Sequence, residues 1–153
     1  MYFLLGLAVG YLVFLGLGQR PMIDPSVDHL THGSHPAHEQ IDVDPNLPIP
    51  ALSVVATPDT VSGYNLYLDT ENYTFDPASV NQAPMPNTGH AHLYVNGEKV
   101  ARLYGPWFQL DGHHMVPGEN LVQVTLNAND HREWSNQGVT IEDVITLDYQ
   151  LMN

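Results

Sequence analysis

Two patterns of apolar and polar positions divide the chain. Residues 2–17 of "MYFLLGLAVGYLVFLGLGQRP" carry no charge and are apolar almost throughout. With Gly18, this run spans about 25 Å as a helix, close to the thickness of a bilayer core. From residue 51 onward the period is two, the mark of half-buried strands. "LSVVAT" (52–57) is a short apolar run, and "YNLYLDT" (64–70) sets Leu66 and Leu68 against Tyr67. "YTFDP" (73–77), "GHAHLYV" (89–95), "KVARLYG" (99–105) and "WFQL" (107–110) follow. "NLVQVTLNA" (120–128) alternates Leu121, Gln123 and Thr125 with Val122, Val124 and Leu126, and "TIEDVITLDYQL" (140–151) closes the series. Seven or eight strands separated by Pro and Gly turns predict an all-β fold, an antiparallel sandwich.

The Asn96-Gly97 pair between two such runs predicts a type I′ hairpin. A two-residue turn pairs Tyr94 with Lys99, His92 with Ala101 and His90 with Leu103. His90, His92 and Tyr94 then share one face, while Ala91, Leu93 and Val95 share the other. Side chains two apart on one strand face lie within about 7 Å, a chelating distance for two imidazoles.

The intervening residues, 21–50, have neither period. Six prolines, many Asp and the string "DHLTHGSHPAHE" predict an extended tether. His29, His32, His35 and His38 recur at intervals of three. Gly33 and Pro36 oppose a helix, so a metal site here forms only on binding. The predicted organisation is a transmembrane anchor or signal segment (1–20), a Pro/His/Asp-rich linker (21–50) and a β-sandwich domain (51–153).

Composition narrows the chemistry. The chain of 153 residues has 17 acidic and 4 basic residues and a formal net charge of −13. Without clustered Lys and Arg, nucleic-acid binding is excluded. With no Cys, thiolate catalysis, iron–sulfur clusters and blue-copper centres are excluded as well. Nine His and five Met remain as borderline or soft ligands. Besides His90 and His92, "DGHHMVPGEN" offers His113, His114 and Met115, and "NANDHREW" offers His131 just past a strand end. A sandwich that gathers its loops at one end brings His90, His92 and His131 together as a metal site. Three imidazoles suit copper or zinc; Met85 or Met115 as an auxiliary ligand tilts the choice to copper, with His113, His114 and the linker histidines assisting.

The stretch 89–147 resembles a family of uncharacterised bacterial extracytoplasmic β-domains. Their pattern is a Gly-His-x-His-Leu strand, a Pro-Gly turn, a Leu-rich strand and a downstream His. Here it reads "GHAHLYV", "VPGENLVQVTLNANDH" and "VITLDY", with Ala91 at the middle histidine of the family strand. "YTFDPASV" is similar, more distantly, to the opening of cupredoxin-like sandwiches. The resemblance implies an Ig-like or cupredoxin-like sandwich outside the cytoplasm.

Three functions are expected of such a chain. The first is a membrane-tethered extracytoplasmic metal carrier or delivery protein, with copper as cargo. The second is a non-catalytic accessory subunit, its anchor in a membrane protein complex and its sandwich docked through Trp107, Phe108 and Trp134. The third, a zinc hydrolase or hydratase, lacks an HExxH motif or other catalytic arrangement; Glu133 and Glu142 are present as candidate bases, with no motif around them. A non-enzymatic role is preferred. The N-terminal run lacks a basic leader and is followed by Arg20, so an uncleaved anchor is favoured over a signal peptide cut after "GLG" (16–18).

Overall fold

In the structure, a computed structural model, residues 39–150 are described. They are all-β, apart from two 3-10 turns at Pro77–Ser79 and Gly112–His114. The N-terminal segment, most of the linker and the four linker histidines lie outside the described residues. No helix among the described residues is long and apolar enough to cross a membrane.

Eleven strands form two sheets. The larger is a branched sheet of eight strands: β1 (Gln40–Asp42), β4 (Thr74–Phe75), β5 (Thr88–Val95), β6 (Glu98–Leu103), β8 (Gly118–Asn127), β9 (Glu133–Asn136), β10 (Val139–Thr140) and β11 (Glu142–Tyr149). The smaller is the antiparallel set β2 (Ala51–Pro58), β3 (Tyr64–Glu71) and β7 (Trp107–Leu110), with β3 in the middle. Period-two alternation explains the core. Leu66 and Leu68 of β3 are buried, as are Val122, Val124 and Leu126 of β8 and Ala91, Leu93 and Val95 of β5. Leu121, one step out of phase on β8, is 47% exposed. Fully burying each such side chain contributes about 1.5–3 kcal/mol. The sheets are tied by Val54 of β2, whose backbone N–H donates to Asp143 on β11 at 2.7 Å.

Four expectations are corrected. The larger sheet is mixed rather than antiparallel, because β1 runs parallel to β9 and β4 parallel to β5. Eleven strands replace seven or eight: β1, β9 and β10 have two to four residues each, too few to show a period. The last strand divides accordingly, Val139–Thr140 turning back on β9 while Glu142–Tyr149 pairs with β8. Part of the predicted linker is also sheet, since Gln40–Asp42 pairs with Glu133–Ser135. Finally, the hairpin turn is type I′, with φ of 49° at Asn96 and 86° at Gly97, but its arms carry a β-bulge. Tyr94 pairs with Lys99 as expected, whereas Leu93 pairs with Ala101, leaving Val100 as the extra residue. His92 therefore lies opposite Arg102, and Ala91 opposite Leu103.

Candidate metal centre

Strand β5 is interior, hydrogen-bonded to β6 on one side and β8 on the other. Its Ala91, Leu93 and Val95 enter the apolar core. Its other face is buried too: His90 is 0% and His92 1% exposed. Around them the face is polar, because β8 presents Thr125 opposite His92 and Asn127 opposite His90. Gly89 makes the approach of β8 possible. It has φ +147°, and a Cβ there would collide with the carbonyl oxygen of Asn127. The Tyr73 hydroxyl closes this end of the pair, lying 2.8 Å from the His90 carbonyl oxygen and 2.9 Å from that of Asn127.

His131 arrives from the turn between β8 and β9. Its N–H donates to the Ala128 carbonyl at 2.9 Å, and the Ala128 N–H donates to the Arg132 carbonyl at 2.8 Å. The turn holds His131 at φ 74°, in the left-handed region that glycine occupies at lower cost. A strained residue is a pointer to function when its side chain is used. Here the imidazole reaches back over β5.

The three rings converge. Their ligand nitrogens all lie within 4.8 Å of one another. His90 Nε2 is 2.9 Å from His92 Nε2 and 3.1 Å from His131 Nδ1. Metal–nitrogen bonds of about 2 Å give a tetrahedral edge of about 3.3 Å, so this spacing is close to that of a liganded set. The far side of His131 is fixed, its Nε2 lying 2.7 Å from Asn81 Oδ1. An amide oxygen only accepts, so Nε2 carries the proton and Nδ1 presents a lone pair to the cluster. His90 is not satisfied by protein partners. Its Nε2 faces two imidazole nitrogens with one in-plane proton or lone pair, and its Nδ1 is buried with no hydrogen-bond partner. An ion at the centre would resolve the crowding at Nε2 and leave Nδ1 as it is.

Two of the rings, His90 and His131, are pushed towards the neutral form. Burial, with the charges of His131, Arg102 and Lys99, pushes His90 down from 6.5 to about 4. His131 is lowered by burial, then by Arg102 and Lys99, against the opposing charge of Asp130. Neutral imidazole is the form that ligates. Lys99 intrudes on this arrangement, its Nζ lying 3.0 Å from His92 Nε2 and 3.2 Å from Nδ1. Its own pKa is lowered by burial and by Arg102, with Glu133 opposing. The Tyr94 hydroxyl lies 3.4 Å from His92 Nδ1. Burial, and then the charge of Glu133, pushes it up to about 12, so it stays protonated.

The other sequence candidates lie elsewhere. His113 and His114 are exposed on the second 3-10 turn, their ring centroids 3.7 Å apart, with His113 Nδ1 2.8 Å from Asp111. They line a cavity of about 370 Å³ with Met115 and Lys99. Met115 is packed into the core, and Met85 is 54% exposed. His113 and His114 do not belong to the three-histidine group. Asn81 and Lys99 went unrecognised in the sequence. Asn81 sits in a loop 50 residues from His131 with no motif around it, and Lys99 read as an ordinary hairpin charge.

Comparison of the chain with protein-family models, curated proteins and solved structures gives no match.

Proposed function

We propose that the protein binds a transition-metal ion through His90, His92 and His131 and serves as a membrane-tethered, extracytoplasmic carrier or delivery protein for it. The convergence of three imidazoles within 4.8 Å, two of them buried and the third half-buried, carries this reading. Copper is the favoured cargo and zinc the alternative, since an all-imidazole set accepts both. A carrier is preferred to an enzyme because the sequence holds no HExxH or other catalytic arrangement. The tether and export rest on the apolar run 2–17 and on the resemblance to extracytoplasmic β-domains; the same resemblance supports an Ig-like or cupredoxin-like description of the two sheets. Titration of the full chain with Cu(II), Cu(I) and Zn(II) tests the reading. Binding tighter than about micromolar that the His90→Ala/His92→Ala pair abolishes is expected. Weaker binding, or binding indifferent to the pair, refutes it.

A second reading, the accessory subunit, is favoured by one surface feature. Val55, Tyr67 and Trp107 are cross-strand neighbours on the smaller sheet, with Trp107 68% exposed and its ring centroid 4.7 Å from that of Tyr67, the two planes tilted by 44°. The aromatic trio expected for docking is split: Trp134 is 3% exposed and donates to the Thr88 carbonyl, and Phe108 packs against the core. Copurification of a membrane partner in mild detergent, abolished by Trp107→Asp, is the outcome this reading requires.

A further inference from the structure

The three-histidine centre has a charge that a bare metal carrier does not need. The chain has only four basic residues, Arg20, Lys99, Arg102 and Arg132. Arg132 is occupied by Asp130, at 2.8 Å through Nη2 and 2.9 Å through Nε. Lys99 and Arg102, two of the remaining three, are both at the centre. Arg102 is the β6 neighbour of His92, and directly opposed residues share a sheet face. Lys99, one place beyond the bulge, donates to His92. Among the described residues, Glu133 is the carboxylate whose charge bears on Lys99 and Tyr94, and its Oε2 also accepts from Thr140 at 3.3 Å. Two fixed cations thus stand against Glu133 and against Asp130, which bears on His131 but is already paired with Arg132, where a dication is to bind.

Like charges this close disfavour the metal unless an anion arrives with it. Three protein nitrogens leave a fourth position open in a tetrahedral set, the arrangement of metal sites that take an exogenous ligand. The guanidinium fork of Arg and the ammonium of Lys are the side chains that hold carboxylate and phosphate oxygens. We propose that the metal bound by His90, His92 and His131 takes its fourth ligand from a small oxyanion, a carboxylate or phosphate, one oxygen on the metal and a second held by Lys99 and Arg102. This rests on the metal reading above. Metal at His92 Nε2 occupies the lone pair that Lys99 addresses in the metal-free protein, and its flexible stem carries the ammonium to the anion.

Cobalt(II) tests this, because its visible bands report ligand exchange directly. The full chain is loaded with Co(II) in a non-coordinating buffer and titrated at fixed ionic strength with phosphate, oxalate, acetate or chloride. A saturable band shift with the oxyanions, and a much weaker response to chloride, is expected. Lys99→Ala and Arg102→Ala each weaken oxyanion binding by about tenfold or more. In anion-free buffer both variants bind Co(II) more tightly than the parent, because a repelling charge is gone. Opposite shifts of this kind separate anion recognition from structural damage, which weakens both. Bands that ignore oxyanions, that respond equally to chloride, or that respond equally in the variants overturn the proposal alone. Failure of Co(II) to bind at all overturns it together with the metal reading.

Discussion

Two pairs of histidines, close in sequence to one another within each pair, end in opposite situations. His90 and His92 alternate on an interior strand, are almost fully buried and meet a third imidazole brought by a distant turn. His113 and His114 are adjacent on an exposed turn, rings 3.7 Å apart, and meet no third ligand of the kind. Proximity of two imidazoles is therefore not what makes a site. The first pair has a rigid base in β5 with β6 and β8 on either side, a third ligand at a different height, and removal from water that strengthens every polar contact. The second pair is held only within its own turn, by bonds of His113 and His114 to Asp111.

The sharpest way to break this contrast is to remove each pair in turn. His90→Ala/His92→Ala in the full chain is expected to lower metal affinity by more than the roughly hundredfold seen for outer-shell partners. His113→Ala/His114→Ala is expected to change it less than about threefold. Calorimetric titration of both variants decides, and comparable losses would erase the distinction.

Acid should act through the buried pair. For the metal-free chain, His90 titrates at about 4 when folded and at its ordinary 6.5 when unfolded. As pH falls below 6.5 the unfolded chain takes up the proton first, so stability declines through the window and levels off below about 4. The full effect is on the order of 3 kcal/mol. Urea midpoints between pH 7 and 4 measure it, and a His90→Asn variant should lose that part of the slope.

His131→Gly separates the ligand from the turn that carries it. Glycine relieves the positive φ, so the metal-free fold should hold steady or gain about 1 kcal/mol. Metal affinity should fall sharply in the same variant. Denaturation and metal titration read the two effects independently, and a fall in both would mean that the side chain is needed for the fold. Among the residues of the centre, the smallest effect is expected from Asn81→Ala, about tenfold in metal affinity, since Asn81 only orients the His131 ring. Unchanged affinity would show that the orienting bond is dispensable.

Much of the fold is legible in the sequence because its signals are local. Alternation in residues 64–70 and 120–128 fixes which side chains of β3 and β8 enter the core, and Asn96-Gly97 fixes the turn. The histidine trio is also legible as a candidate, from two histidines on one strand face and a third past a strand end. The bulge at Val100 is not, because no local pattern marks it, and it moves Arg102 rather than Ala101 beside His92. Strand β1 and the parallel pairing of β4 are equally hidden, since pairings of two or three residues have no period to read.

By itself, then, the sequence determined an all-β domain with a buried apolar face on each long strand, and a surplus of imidazole in a chain without thiols. Tertiary structure alone decided that the second face of β5 is buried as well, that His131 arrives on a left-handed turn, that Lys99 reaches His92, and that Arg102 lies opposite it. Strand period states which residues share a face. What covers that face depends on strands and turns tens of residues away, whose approach is set by packing and by close contacts such as that of Gly89 with Asn127.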